Sequence, residues 1–376
     1  MVKRFKKTIG LTTVFILIVM LFANIASAEE DMWENYEENR ARADVLSVKD
    51  IPVEESDFIK GKQEVVVKVT HGKYKGQQFT VENTFSGNPA FDIHLKKGDK
   101  VILLLEFEEG EISATYIEGY HRLTMVYILA GLFALLVIVI GGFKGIRSLL
   151  TLIITVALVW FVLVPFTLKG VNPVLVSVIV AIVAVVCTFF IVGGINKKSI
   201  TAILGTAGGI ILSGLLAMFF SNAARLTGLS MEEAQMLAFA PQQVAYNFRG
   251  LLLSGIIIGA LGAVMDIGMS IASSMHEIKQ QAPHLNKKEL FVAGLNVGKD
   301  VMGTMVNTLI LAYAGASLPL LMLFRAYKMP LVRIFNMDLV VSEVVRSLAG
   351  SIGLICCIPL TAVIASFIYT RTNDKN

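Results

Sequence analysis

Leu123-Thr-Met-Val-Tyr-Ile-Leu-Ala-Gly-Leu-Phe-Ala-Leu-Leu-Val-Ile-Val-Ile-Gly-Gly142 is the stretch on which the fold turns. It carries no Asp, Glu, Lys or Arg over a length that, as an α-helix, crosses the hydrocarbon of a bilayer, about 20 residues. Comparable runs follow near 148–168, 174–194, 199–220, 250–273, 301–324 and 347–369, which predicts an all-α membrane bundle of seven transmembrane helices. Composition agrees. Of 376 residues, 55% are hydrophobic and only 16% charged, and the mean hydropathy is +0.69, which argues against a water-soluble enzyme or a nucleic-acid binder. The lipid bilayer is the first partner that the sequence calls for.

Upstream of this stretch the chain changes character. Residues 1–28 carry Lys3, Arg4, Lys6 and Lys7, then an apolar run from Ile9 to Ala23, then Ala26-Ser27-Ala28 ahead of Glu29-Glu30-Asp31. That is the three-part pattern of a secretory signal peptide, with an uncleaved anchor helix as the alternative. Either one sends the next segment outside. Residues 29–120 hold 20 acids and 11 bases, whereas 121–376 hold 9 acids and 18 bases, so the two halves are oppositely charged. Within 29–120, period-2 patterns at 43–48, 64–70, 78–81, 101–107 and 112–117 are separated by turn chemistry such as His71-Gly72 and Ser86-Gly87-Asn88-Pro89. Five short strands predict a small antiparallel extracytoplasmic barrel, OB-like in size. Its acidity would repel phosphate, so nucleic acid is not an expected partner.

Metal and disulfide chemistry find little support. Cys187, Cys356 and Cys357 all lie in apolar runs, which leaves no disulfide framework or CxxC site. His71, His94 and His121 lack ligand spacing and read as solvated surface residues; no metal or cofactor is expected. Gly294-Leu-Asn-Val-Gly298-Lys299-Asp300 fails as a phosphate loop, because the glycine spacing is one residue short and an Asp stands where Ser or Thr is needed. No nucleophile with a partnered base is visible, so the chain is not expected to be an enzyme.

Topology follows from charge. With the barrel outside, the loops at Lys144/Arg147, Lys197/Lys198 and Lys279/Lys287/Lys288 and the tail fall in the cytoplasm, the arrangement expected in the cell membrane. Arg325, Lys328, Arg333 and Arg346 break the pattern, and the alternation in 331–346 predicts an interfacial or re-entrant segment there. Two rows of small residues, Gly205/Gly209/Ser213 and Gly255/Gly259/Ala263, let backbones approach closely and predict that the fourth and fifth helices pair. The same faces allow a homo-oligomer or a related membrane subunit as partner.

Ionisable side chains in hydrocarbon are costly, so each one inside these runs is a functional candidate. Asp266 follows an uncharged stretch from Leu251 to Met265, and Ser270, Ser273 and Glu277 continue its face at i+4, i+7 and i+11. In the sixth helix Asn296, Asp300, Thr304 and Asn307 share a face, with Lys299 beside it and Gly294, Gly298 and Gly303 thinning the wall. The connection between the two helices allows the stripes to face each other. An Asp266–Lys299 ion pair would be structural glue, each charge lowering the other's cost of ionisation. Asp266 turned toward Asp300 or a cavity would instead serve as a proton or cation carrier. Farther on, Glu343 and Arg346 stand one turn apart, and a local ion pair at the outer surface is the preferred reading.

The stretches Asp266–Glu277 and Gly294–Gly315, together with Asn336-Met-Asp-Leu339 and Glu343–Gly353, resemble the signature segments of the YibE/F family of bacterial membrane proteins. Strands ahead of the first helix resemble the longer, YibE-type layout. Lys299 stands where many relatives would carry arginine, which keeps the charge and weakens bidentate contacts. The resemblance implies a multi-pass membrane protein. The function expected from the polar residues is a permease or efflux-type transporter with a path between the fifth and sixth helices. The alternative is an envelope scaffold or sensor that docks a partner through its β domain.

Overall fold

The computed structural model describes residues 39–52, 59–108, 111–240 and 245–370, so the leader expected at 1–28 lies outside the described residues. The chain divides into two compact units at Leu135/Leu136.

In the first unit, β1 (Arg40–Ile51), β2 (Gly61–Val69), β3 (Gln78–Phe85), β4 (Lys100–Glu108) and β5 (Glu111–Tyr120) correspond to the five period-2 segments. Strand order is β3-β2-β1-β4-β5, every pairing is antiparallel, and β3 comes back beside β5, so the sheet is a nearly closed barrel. Closure depends on β1, which pairs with β4 through Arg40–Asp44 and with β2 along Ala43–Ile51. A bulge between Val45 and Ser47 bends the strand at that hand-over. The alternate residues Ala41, Ala43, Val45, Val65, Val67, Val69, Val101, Leu103 and Leu105 fill the interior, with Val81 and Leu95. The buried Gln63 ties a loop to this core: its amide donates to Asp50 Oδ1 at 3.0 Å and its carbonyl accepts from Leu95 N at 3.2 Å.

The second unit is helical. α1 (Leu123–Leu158) begins in the first unit and continues through a π-helical turn (Val159–Leu163) into α2 (Val164–Leu168). Then come α3 (Pro173–Gly193), α4 (Lys197–Ala223), α5 (Glu232–Ala238), α6 (Phe248–Gln281), α7 (Lys287–Ala316), α8 (Leu318–Ala326), α9 (Leu331–Ile334) and α10 (Asp338–Thr370). Among the described residues, five helices are long and apolar enough to span a bilayer, or six if α7 and α8, bent by 58°, form one span. The expected count of seven differs because the runs at 123–142 and 148–168 lie in one helical stretch, Leu123–Leu168. That stretch is broken at Gly142, whose φ of 54° and ψ of −135° are not helical. A methyl group on Gly145 would collide with the carbonyl of Val137, about two turns earlier, so the chain bends sharply there.

α4, α6 and α10 form the centre of the unit, with α3 and α7 against them. α4 and α6 pack together, as the sequence predicts, and the small-residue row of α4 seats α10 as well. A Cβ on Gly205 would strike Thr361, one on Gly209 would strike Cys357 and the Gly353 carbonyl of α10 and also Val264 of α6, and one on Gly353 would strike Ser213. On α6, Gly255 faces open space and Gly259 meets Tyr313 of α7. α4 and α6 also meet through Gly268 against Thr206 and Gly214 against Ile257. A row of small residues fixes how closely a partner approaches, not which partner it is. The segment 331–346 also differs from expectation: α10 begins at Asp338, so most of it is the first part of a long helix and only α9 stands apart.

Candidate functional site

The packed face of α6 carries Ile257, Val264, Ile267, Ile271 and Met275, all buried. Asp266 lies two residues beyond Val264, about 200° round the helix, and is exposed. On α7 the packed residues are Gly294 against Met275, Gly298 against Ile358, and Leu309 near Gly350. Asn296 and Asp300 each fall two positions after one of the buried glycines, and Asn307 two before Leu309, so all three point away from the bundle. Lys299 and Thr304 are likewise exposed, whereas Ser270 is half-buried.

The sequence-predicted candidates are therefore brought onto the outward faces of two neighbouring helices. They do not close on each other within the chain. Among the described residues the ion pairs are Arg40–Glu118, Lys62–Glu82 and Glu343–Arg346, so Asp266 is not sealed against Lys299. The Thr304 hydroxyl is held on its own helix, donating to the Val301 carbonyl at 3.0 Å. Glu343 and Arg346 meet at 3.3 Å, the local pair expected from their spacing, and Arg346 reaches the Met231 sulfur at 3.8 Å. No group of three His, Cys, Asp or Glu with metal-binding geometry occurs among the described residues.

Two polar ties escaped the sequence reading. Arg249, at the start of α6, donates from Nε to the Leu226 carbonyl (2.7 Å) and from Nη1 to Asn222 Oδ1 (2.8 Å), satisfying acceptors at the end of α4. Asp338, at the start of α10, accepts from Thr227 Oγ1 at 2.7 Å. Together they hold the ends of the three central helices in register. The signal available in the sequence was an arginine and an aspartate at opposite starts of apolar runs.

In the β unit, Arg42, His71, Lys100 and His121 line a hollow of about 180 Å³. The His121 ring shares a hydrogen bond with Thr124 Oγ1 (3.3 Å through Nδ1) and buries Nε2 without a hydrogen-bond partner among the described residues. Burial, reinforced by the positive charges of Arg42 and Lys100, holds its pKa below the usual histidine value of 6.5. His71 and His94 are exposed, as expected, whereas His121 is half-buried and shares the hollow with His71.

A nearly closed antiparallel barrel followed by long apolar helices with a central small-residue packing seam is the architecture of a β domain joined to a helical unit compatible with membrane insertion. Residues 129–371 match the family model described as YibE/F-like protein, and residues 35–120 match that of the YibE/F family N-terminal domain. The chain belongs to the YibE/F family. No curated protein and no solved structure matches it.

Proposed function

We propose that the protein is an integral permease-type component of the cell membrane, and that the outward polar faces of α6 and α7 form one wall of a path for an ion or small polar solute. The observation that carries this reading is Asp266, exposed and without an ion pair among the described residues, in the middle of an apolar helix. A carboxylate there is tolerated only where water or protein meets it. Counting the two arms on either side of Gly142 separately, seven segments cross the bilayer, which leaves the β domain outside and the C-terminus in the cytoplasm.

A second copy supplies the other wall. Twofold symmetry pairs each surface patch with itself. A patch holding Lys299 beside Asp300 is its own electrostatic complement, so each lysine meets an acid across the axis. The test is flux in proteoliposomes: Asp266→Asn and Asp300→Asn abolish gradient-dependent transport, while Glu277→Gln, at the end of the row, retains it. Undiminished flux in both variants removes these carboxylates from the path. Cross-linking of Gly303→Cys in a chain cleared of native cysteines reports the second copy.

A further inference from the structure

A cavity of about 1010 Å³ lies between the C-terminal end of α7, the α8–α9 hairpin and the first turns of α10. Ile310, Leu321, Phe324, Ile334, Val344 and Leu348 are among its apolar lining residues. The outer surface of the hairpin is apolar as well, with Leu318, Met322, Leu323 and Val332, which do not line the cavity, all exposed, so the cavity opens among acyl chains rather than into water. Three charged groups line it, Arg325, Lys328 and Glu343. Glu343 is neutralised by Arg346 at 3.3 Å, whereas Arg325 and Lys328 make no ion pair or side-chain hydrogen bond among the described residues. The site is an apolar hollow with a net positive mouth.

The backbone fixes where one of these cations stands. Lys328 has a φ of 50°, in the left-handed region that favours glycine. Its N–H donates to the Arg325 carbonyl (3.1 Å) and that of Met329 to the Phe324 carbonyl (3.0 Å), the pair of bonds that closes a helix with a left-handed residue. Glycine would satisfy that turn without strain. A lysine there places a charge at the cavity mouth at a conformational cost. These same cations violate the inside bias of basic residues in the expected topology, and binding an anion at the outer leaflet accounts for them.

We propose that this cavity binds an anionic phospholipid of the surrounding bilayer, its acyl chains in the apolar hollow and its phosphate on Arg325 and Lys328. Arg325 meets the phosphate through two parallel N–H donors and Lys328 as a point charge. The proposal is separate from the transport reading, because it concerns the C-terminal end of α7 and the α8–α9 hairpin and is read by lipid binding rather than flux. The experiment uses the full-length protein, delipidated in detergent and titrated with phosphatidylglycerol or phosphatidylcholine of identical chains, with retained lipid counted by native mass spectrometry. The wild type prefers phosphatidylglycerol. Arg325→Gln with Lys328→Gly lowers that preference about thirtyfold. Lys328→Gly alone lowers it about fivefold while raising thermal stability, since the left-handed turn is relieved. Leu321→Trp, which fills the hollow, reduces binding of both lipids. Equal retention of the two lipids by the wild type overturns the proposal, as does an undiminished preference in the double variant. Displacement by inorganic phosphate alone also overturns it, in favour of a site for a free anion.

Discussion

The two units sort their residues by opposite rules. In the β unit the interior is Val65, Val67, Leu103 and Leu105 and the polar residues alternate outward, as water demands. In the helical unit the interior takes small polar residues as well as large apolar ones: Ser177, Thr201, Thr206, Ser213 and Thr361 are fully buried, as are Ile256, Ile271 and Met275, while Phe143 and Ile140 are 86% and 84% exposed. An apolar outer surface is what lipid tails tolerate, and where two helix backbones touch only small residues fit. In one unit polarity decides position; in the other it does not, and size decides where backbones meet.

The sharpest way to break this contrast is to enlarge a small residue in each setting. Gly209→Leu, which must clash with Cys357 and with the backbone of Gly353, should abolish recovery of monodisperse helical protein. Gly131→Leu or Gly255→Leu, each facing open space, should be recovered like the wild type in size-exclusion chromatography. In the β unit the opposite substitution matters most. Leu103→Ala, fully buried, should lower its stability by about 2–5 kcal/mol, seen as an earlier thermal transition.

Much of the β unit was legible because a strand's period of two names both the face and its destination. All five strands were visible, and the bulge at Val45/Ser47 was not, since one extra residue in β1 leaves the alternation on either side intact. In the helical unit, periodicity grouped Asp266 with Ser270 and Asn296 with Asp300 and Asn307, yet could not say which way the faces point. Hydrophobicity is nearly uniform round α6, so only the buried positions of Val264 and Gly294 reveal that the polar rows face outward. The Gly205/Gly209/Ser213 row showed a close contact and the neighbour α6, and hid its second partner, α10, more than a hundred residues away in sequence. The break at Gly142 was hidden for a similar reason: a glycine inside an apolar run reads equally as packing or as a hinge.

Smaller effects sharpen the comparison at its polar margins. Arg249→Gln, which frees the Leu226 carbonyl and Asn222 at the end of α4, should cost about 1.5–3 kcal/mol in the helical unit and leave the β unit's melting unchanged. The β unit should instead respond to acid through His121. Its folded pKa is held below 6.5, so the unfolded chain binds the extra proton first, and stability is complete above pH 6.5 and declines as pH falls below it. His121→Gln should flatten that part of the pH–stability curve, leaving the decline that begins below about pH 3.8, where Asp92, its pKa lowered chiefly by the Ser86 backbone N–H, takes up its proton.

The central claim is that water reaches the outward faces of α6 and α7. Single cysteines at Thr304 and Asn307, in a chain lacking Cys187, Cys356 and Cys357, leave Asp266 and Asp300 in place and report on it directly in intact vesicles. Alkylation requires the thiolate, and the thiolate requires water. The account predicts that both positions react with a charged maleimide while Ile153→Cys, on the apolar surface of α1 and 65% exposed, stays inert. Reaction at none of the three would place the polar rows in dry contact and contradict it.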